Sequence, residues 1–274
     1  MTEILAQVPR NPVLSDYIDY YYFQKSEWLK PWTYTFYPNN RVTISIYQGS
    51  KYNYRNGETT ILPGKENQLS GILTPLQLLP LQVTQSGPID KVAIVFKPDK
   101  IGFILRHQIG RLSNSPQELP HSLLPSWNQA FNNVFETDKI DEKIKLLDDF
   151  FINKIKELEH PLLHLLITKI EGNPSTNIQD LAREFNCSRK SIHRWFQKLV
   201  GCSPESYKAL IKFRKSIGIW QQESTTKLSD LAGSDFYDQS HFIRLVRKMT
   251  GQSPKHFFDN LERVGQSSIF WSSD

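Results

Sequence analysis

The chain has 274 residues, a formal net charge of +5, a 39 % apolar share and two cysteines. That length suits two domains with cores of their own, and the spread of aromatic residues argues against a disordered or low-complexity chain. Cys187 and Cys202 lack Cys-x-x-Cys spacing, which speaks against a disulfide framework or a zinc site and for buried structural thiols, while apolar runs such as LLHLLI from Leu162 fall far short of the ~20 residues of a membrane span.

The opening stretch, MTEILAQVPRNPVLSDY, carries acidic and polar residues where an export signal needs a basic patch and an unbroken apolar core, so a cytoplasmic protein with no membrane partner is expected. Short β-rich segments follow: YIDYYYF, TYTFY, RVTISIY, TTIL, LQLLPLQVTQ and KVAIVFKP, separated by the turn signals PNN, GSK, RNG and PGK. Val42, Ile44 and Ile46 alternate with Thr43, Ser45 and Tyr47, the period of a strand with one face inward, and a small barrel or sandwich is predicted. Tyr20, Tyr22, Tyr34, Phe36, Tyr37 and Tyr47 serve either core packing or the lining of a pocket, and Tyr22, Phe36 and Tyr47 are the candidates for an effector site. Every histidine lies at or after His107, so the strands lack a histidine cluster and neither a metal nor another cofactor is expected.

After Pro125 the pattern turns helical. Ile140, Ile144, Leu147, Phe151, Ile155 and Leu158 recur at three- and four-residue steps, a stripe that packs on the β domain or pairs with another subunit. Glu159-His160-Pro161 breaks it, which divides the chain into a β-rich region over residues 1–160 and a helical region over 161–265. Residues 1–160 hold 17 Lys/Arg against 17 Asp/Glu and the remainder 16 against 11, so the whole positive excess lies in the second part, which fits either a polyanion-binding region or a basic, solvated surface.

That second part contains a repeat of fifty residues without a gap. Asp180/Asp230, Leu181/Leu231, Ala182/Ala232, Arg194/Arg244, Lys198/Lys248, Gly201/Gly251, Ser203/Ser253 and Pro204/Pro254 match. In the first copy Asn177 caps a short helix from Ile178 to Phe185, with Asp180 placed for a capping box, Asn186 and Cys187 turn the chain, and Ser188 caps a second helix to about Val200. Gly201 ends that helix, and Ser203-Pro204 opens a third that reaches about Gln222. Helix, tight turn and helix with a third behind is the helix-turn-helix arrangement, predicted over about 176–201 and again over 226–251.

On the second helix of each copy, apolar residues (Ile192, Trp195, Phe196, Leu199; Phe242, Leu245, Val246, Met249) share one face. The opposite faces carry Lys190, His193, Arg194 and Gln197 in one copy and Gln239, Ser240, Ile243, Arg244 and Arg247 in the other. Cationic and amide side chains without carboxylates suit the major groove, where arginine pairs with guanine and glutamine with adenine.

These residues resemble the paired helix-turn-helix domain of AraC/XylS-type transcription regulators over roughly Leu162 to Arg263, most specifically in FYDQSHFIRLVRKMTGQSPKHF. FYPNNRVTISIYQG, ILPGKENQLSGILTPLQL and IDKVAIVFKPDKIGFILRHQIGRLSNSPQEL are similar, more loosely, to the cupin-like domain of some of these regulators. The resemblance implies an α+β multidomain fold, with an N-terminal β-barrel or cupin-like domain and helices, and a C-terminal all-α domain of two helix-turn-helix units. It also implies a DNA-binding transcription regulator, with double-stranded DNA, a small-molecule effector and a second copy of the chain as partners. Lys190, His193, Arg194, Gln239, Ser240, Ile243 and Arg244 are its implied base or phosphate contacts. LAGSDFYD is one residue shorter than the family pattern, which predicts a short or displaced first helix in the second unit. The rival expectation, an enzymatic N-terminal domain fused to a DNA-binding module, calls for reactive thiols of the alkyl-transfer kind, and residues 1–160 contain no cysteine.

Overall fold

The structure, a computed structural model, describes residues 3–27, 30–55, 57–101, 115–119, 124–155, 160–223, 227–263 and 270–273. Part of the predicted helical stripe (Leu158) and the turn residue Glu159 lie outside them.

Two six-stranded sheets make up the β-rich part. The first runs β1 (Glu3–Gln7), β2 (Ile18–Ser26), β9 (Ile89–Phe96), β4 (Val42–Gln48), β7 (Leu69–Thr74) and β10 (Gln117–Glu118), each strand antiparallel to its neighbour. The second runs β11 (Glu262–Arg263), β12 (Phe270–Ser273), β3 (Trp32–Phe36), β8 (Leu81–Gln85), β6 (Glu58–Pro63) and β5 (Ser50–Arg55), with β6 and β8 parallel.

Alternation along the first sheet decides what each face meets. Val42, Ile44 and Ile46 of β4, Val92, Ile94 and Phe96 of β9, and Tyr21 and Phe23 of β2 pack into one cluster with Trp127, Phe131, Ile144, Leu147 and Phe151. These last come from helices α1 (Leu124–Glu136) and α2 (Ile140–Ile152). The predicted helical stripe thus packs on the β-rich part of its own chain. Thr43, Ser45 and Tyr47, one residue out of phase, face the second sheet. With helices on one face and a sheet on the other, the first sheet is covered without closing a ring. The expected β-barrel is therefore an open pair of sheets, and among the described residues neither β1 nor β10 pairs with the second sheet.

A carboxylate ties the N-terminal stretch to the helical layer. Asp148 on α2, 6 % exposed, accepts hydrogen bonds from the backbone N–H of Arg10 (2.8 Å) and Asn11 (2.8 Å) and from the Tyr21 hydroxyl (2.9 Å). Burial, and then the nearby carboxylate, push the Tyr21 hydroxyl well above its ordinary acidity constant, so it remains a donor.

The remaining helices are α3 (Pro161–Gly172), α4 (Ile178–Glu184), α5 (Arg189–Leu199), α6 (Pro204–Glu223), α7 (Leu228–Ala232), α8 (Gln239–Thr250) and α9 (Pro254–Asp259). One apolar cluster unites them, with Tyr207, Leu210, Phe213 and Ile217 of α6 fully buried at its centre. Two residues of the β-rich part, Tyr37 and Leu76, belong to that same cluster. No helix among the described residues is long and apolar enough to cross a membrane.

Asp148→Ala removes the acceptor of three hydrogen bonds and leaves a buried phenol without it. A loss of about 2–3 kcal/mol is expected, read from the shift of the urea midpoint at unchanged slope.

Candidate nucleic-acid interface and inter-sheet cavity

Each half of the fifty-residue repeat folds as helix, turn, helix, and capping chemistry sets the limits of each element. Asn177 caps α4 by accepting from the Gln179 N–H at 2.7 Å, and Asn186, at a φ of 49°, turns the chain. Ser188 then caps α5, accepting from the Ser191 N–H at 3.0 Å. Asp180 does not complete a capping box with Asn177; its carboxylate meets Arg183 at 3.3 Å. In the second half Asp238 caps α8, accepting from the His241 N–H at 2.7 Å. Gly201 (φ 88°) and Gly251 (φ 74°) leave the two helices in the left-handed region, where any side chain would be strained. Ser203 and Ser253, followed by Pro204 and Pro254, open the helices behind.

The two halves differ at their first helix. α7 has five residues against seven in α4, Lys227 supplies no side-chain cap, and a 3-10 turn over Gly233–Asp235 follows, with Gly233 at a φ of 54°. The two segments are equal in length, so residue type sets the difference: Gly233, at a positive φ, leaves the helix where Arg183 continues it in α4, and the chain reaches the Asp238 cap through the 3-10 turn.

On α5, Ile192 and Phe196 are buried, while Lys190, His193, Arg194 and Gln197 are exposed. On α8, Phe242, Leu245, Val246 and Met249 are buried, Gln239, Ser240, Arg244 and Arg247 are exposed, and Ile243 is half-buried. Neither first turn contains an acidic residue; at α5, capped by a serine, the partial positive charge of the helix start is not offset, whereas at α8 the Asp238 cap places a carboxylate there. Among the described residues Lys190, Arg194, Arg244 and Arg247 form no ion pair within the chain. Trp195 is half-buried against the His160 ring (4.6 Å between centroids), and His241 packs edge-on to Phe236 (5.4 Å), so both serve packing. Cys202 is buried and its thiol is pushed up to about 12 by burial; Cys187 is only half-buried, contrary to the expectation for both thiols.

A second feature lies between the sheets: a cavity of about 510 Å³, including its open mouth. Tyr22, Phe36 and Tyr47 line it together with Tyr34, whereas Tyr37 joins the helical core and Tyr20 packs with Val95. One lining residue that sequence reading missed is Lys91, 5 % exposed, whose Nζ donates to the Tyr22 hydroxyl and lies 4.6 Å from the Tyr22 ring centre and 5.3 Å from that of Tyr47. The available signal was a charged residue in phase with Ala93 and Val95 on the strand IDKVAIVF.

The segment joining β3 to β4 connects the cavity to the helices. Phe36 lines the cavity, while the next residue, Tyr37, stacks edge-on against Phe257 of α9 at 4.8 Å and accepts from Gln252 Nε2 at 3.3 Å. Asn40 donates to Glu171 of α3 (2.9 Å), and Arg41 bonds Asp19 (2.8 Å) and pairs with Glu171 (3.5 Å). Tyr207 of α6 donates to the same Glu171 oxygen at 2.6 Å.

Residues 181–260 match the family described as a helix-turn-helix domain. Over 108 residues, 39 % of this chain, the sequence is 27 % identical to the HTH-type transcriptional regulator GbdR of Pseudomonas aeruginosa. The match spans 28 % of that relative's length. Among solved structures, ToxT from Vibrio cholerae strain SCE256 bound to an unsaturated fatty acid superposes with a TM-score of 0.50 at 14 % identity, covering 90 % of this chain and 98 % of that one. Another ToxT structure from Vibrio cholerae gives 0.48 at 15 % identity, covering 86 % and 98 %. Residues 181–260 thus belong to a helix-turn-helix domain, and the chain joins its helical part to a β-rich region in the two-part fold of the first of these structures.

Asp238→Ala takes the cap from α8 and is expected to cost ~1 kcal/mol. Hydrogen exchange of the amides in the first turn of α8 should quicken, with those of α5 unaffected.

Proposed function

We propose that this protein is a sequence-specific DNA-binding transcription regulator, controlled by a small molecule held in its β-rich region. The observation that carries the reading is the pair of capped helices, α5 and α8, each presenting an exposed face of cationic and polar side chains free of carboxylates. Lys190, His193 and Arg194 of one, and Gln239, Ser240, Ile243 and Arg244 of the other, are the proposed contacts in neighbouring major grooves. Arg194 and Arg244, at equivalent places in the repeat, bond phosphates or bases.

Residues 1–160 act as the sensor and 161–265 as the DNA-binding domain, in a cytoplasmic protein that can work as a homodimer. Tyr22, Phe36 and Tyr47 are the proposed effector contacts, since all three face the inter-sheet cavity. That ToxT, a chain of this fold, has been solved with an unsaturated fatty acid bound is in keeping with control by a small molecule. The β3–β4 segment supplies the mechanical link: Phe36 faces the cavity and Tyr37 the helical core, so a ligand that shifts the strand biases the seating of α9 and, through Glu171, of α3 and α6. The reading is a binding protein and not an enzyme, which agrees with a β-rich region devoid of cysteine.

Selection of genomic fragments by the purified protein would yield the operator. On that sequence, changing Arg194 and Arg244 together to alanine should weaken binding and flatten the dependence of log K on log salt by about 1.8 if both bond phosphates. Binding left unchanged by the double substitution would refute these contacts.

A further inference from the structure

The inter-sheet cavity holds one basic group and no acidic one. Lys91 stands on β9 with its Nζ against the hydroxyl and ring of Tyr22 and the ring of Tyr47, and among the described residues neither an aspartate nor a glutamate lines the space. Asparagine and glutamine are missing from the lining too, so the bidentate groups that grip adjacent hydroxyls of a sugar are not there. Across the cavity on β6, Thr59 is 5 % exposed and its hydroxyl has no hydrogen-bond partner among the described residues. A buried polar atom left in this way costs free energy that a ligand can recover. The rest of the wall combines apolar or aromatic surface from Phe36, Ile72, Leu81 and Val83 with the small hydroxyl residues Thr43, Ser45 and Thr74.

We propose that this cavity binds a compact monocarboxylic acid, its carboxylate paired with Lys91, its apolar body against Phe36, Ile72 and Val83, and Thr59 supplying a further hydrogen bond. This rests on the sensor role given above to the β-rich region. A single cation selects a monoanion over a phosphate, and the anion supplies the counter-charge that the protein lacks there.

A pH signature follows. Burial brings the Lys91 ammonium down to about 7. The titratable groups facing it are Tyr22 from β2, Tyr34 from β3 and Tyr47 from β4, all raised by burial and neutral across the working range. β6, β7 and β8 contribute only Thr59, Ile72, Thr74, Leu81 and Val83 to the lining. Asp90, next along β9, occupies the opposite face by alternation, where Lys143 and Lys25 act on it. A carboxylate beside Lys91 favours the charged form, so the complex keeps its proton where the free protein has lost it. Affinity therefore weakens about tenfold per pH unit above 7 until the complex itself deprotonates.

The test uses calorimetry on the full chain with benzoate and hexanoate, each against its uncharged amide, from pH 6 to 9. At least one acid is expected to bind at least tenfold more tightly than its amide at pH 6, to weaken by roughly that factor per unit above pH 7, and to lose both properties in Lys91→Met, a substitution that removes an uncompensated buried charge and should leave the fold intact. Amides bound as well as acids, affinity independent of pH, affinity rising with pH as condensation of the neutral amine with a carbonyl would give, or no binding by either acid at millimolar concentration would each overturn the proposal. Operator binding measured on the same preparation separates the cases: intact DNA binding without acid binding sinks this inference alone, and absent DNA binding sinks the regulator reading.

Discussion

One buried stripe on α6 holds the helical part together. Tyr207, Leu210, Phe213 and Ile217 are wholly enclosed, and each end of the helix serves a different half of the repeat. Tyr207 packs edge-on to Phe196 of α5 at 5.6 Å, whereas Phe213 meets Phe257 of α9 at 5.5 Å and Trp220 meets Phe258 at 6.3 Å. A helix of 20 residues is ~30 Å long, so it works as a strut between two units that would otherwise each need a core of their own. Side chains packed at crystal-like density permit few alternative arrangements, and the relative pose of α5 and α8 is inherited from that packing.

Local chemistry made much of this legible beforehand. A repeat carrying Gly, Ser-Pro and capping residues at equal offsets announces helix ends whatever surrounds them, and Ser188, Gly201, Asp238 and Gly251 act in the structure as those residue types act in short peptides. The alternation of Val42, Ile44 and Ile46 with Thr43, Ser45 and Tyr47 was equally plain, since a period of two needs no tertiary information. What stayed hidden depends on distant partners. Whether strands close a barrel or lie as two sheets turns on what covers their outer faces, here Trp127, Phe131 and Phe151 from helices far along the chain. Leu76 and Tyr37 looked like residues of the β-rich part, yet they complete the helical core. Lys91 stands near the start of a strand, where a lysine ordinarily reaches water, and only the second sheet makes it buried. The DNA-facing residues could be placed on an exposed surface by periodicity alone, but which of them meets a base is decided by the duplex.

The contact between the two parts is mixed in character. Tyr37 and Leu76 bury apolar surface, while Glu171 collects Asn40, Arg41 and Tyr207 on one carboxylate. Apolar insertion supplies attraction without direction, and the charged node supplies direction with little net attraction, because an ion pair shielded from water must first lose its hydration. An interface of this kind docks firmly in one register and is still open to adjustment by small forces. His164 adds a side-chain bond to Asp99 at 2.8 Å from the helical side.

Strand β12 has a bearing on how the protein is made. Its residues Trp271, Ser272 and Ser273 register with Phe36, Thr35 and Tyr34 of β3, so one wall of the second sheet pairs segments more than two hundred positions apart. During synthesis β3 emerges early and waits with a bare edge until residues 270–273 have left the ribosome. Such long-range pairing is slow and leaves an edge open to intermolecular pairing in the interval. Maturation of the sheet is thereby reserved for a chain whose helical part has already been translated, and a nascent fragment lacking it carries an unfinished wall.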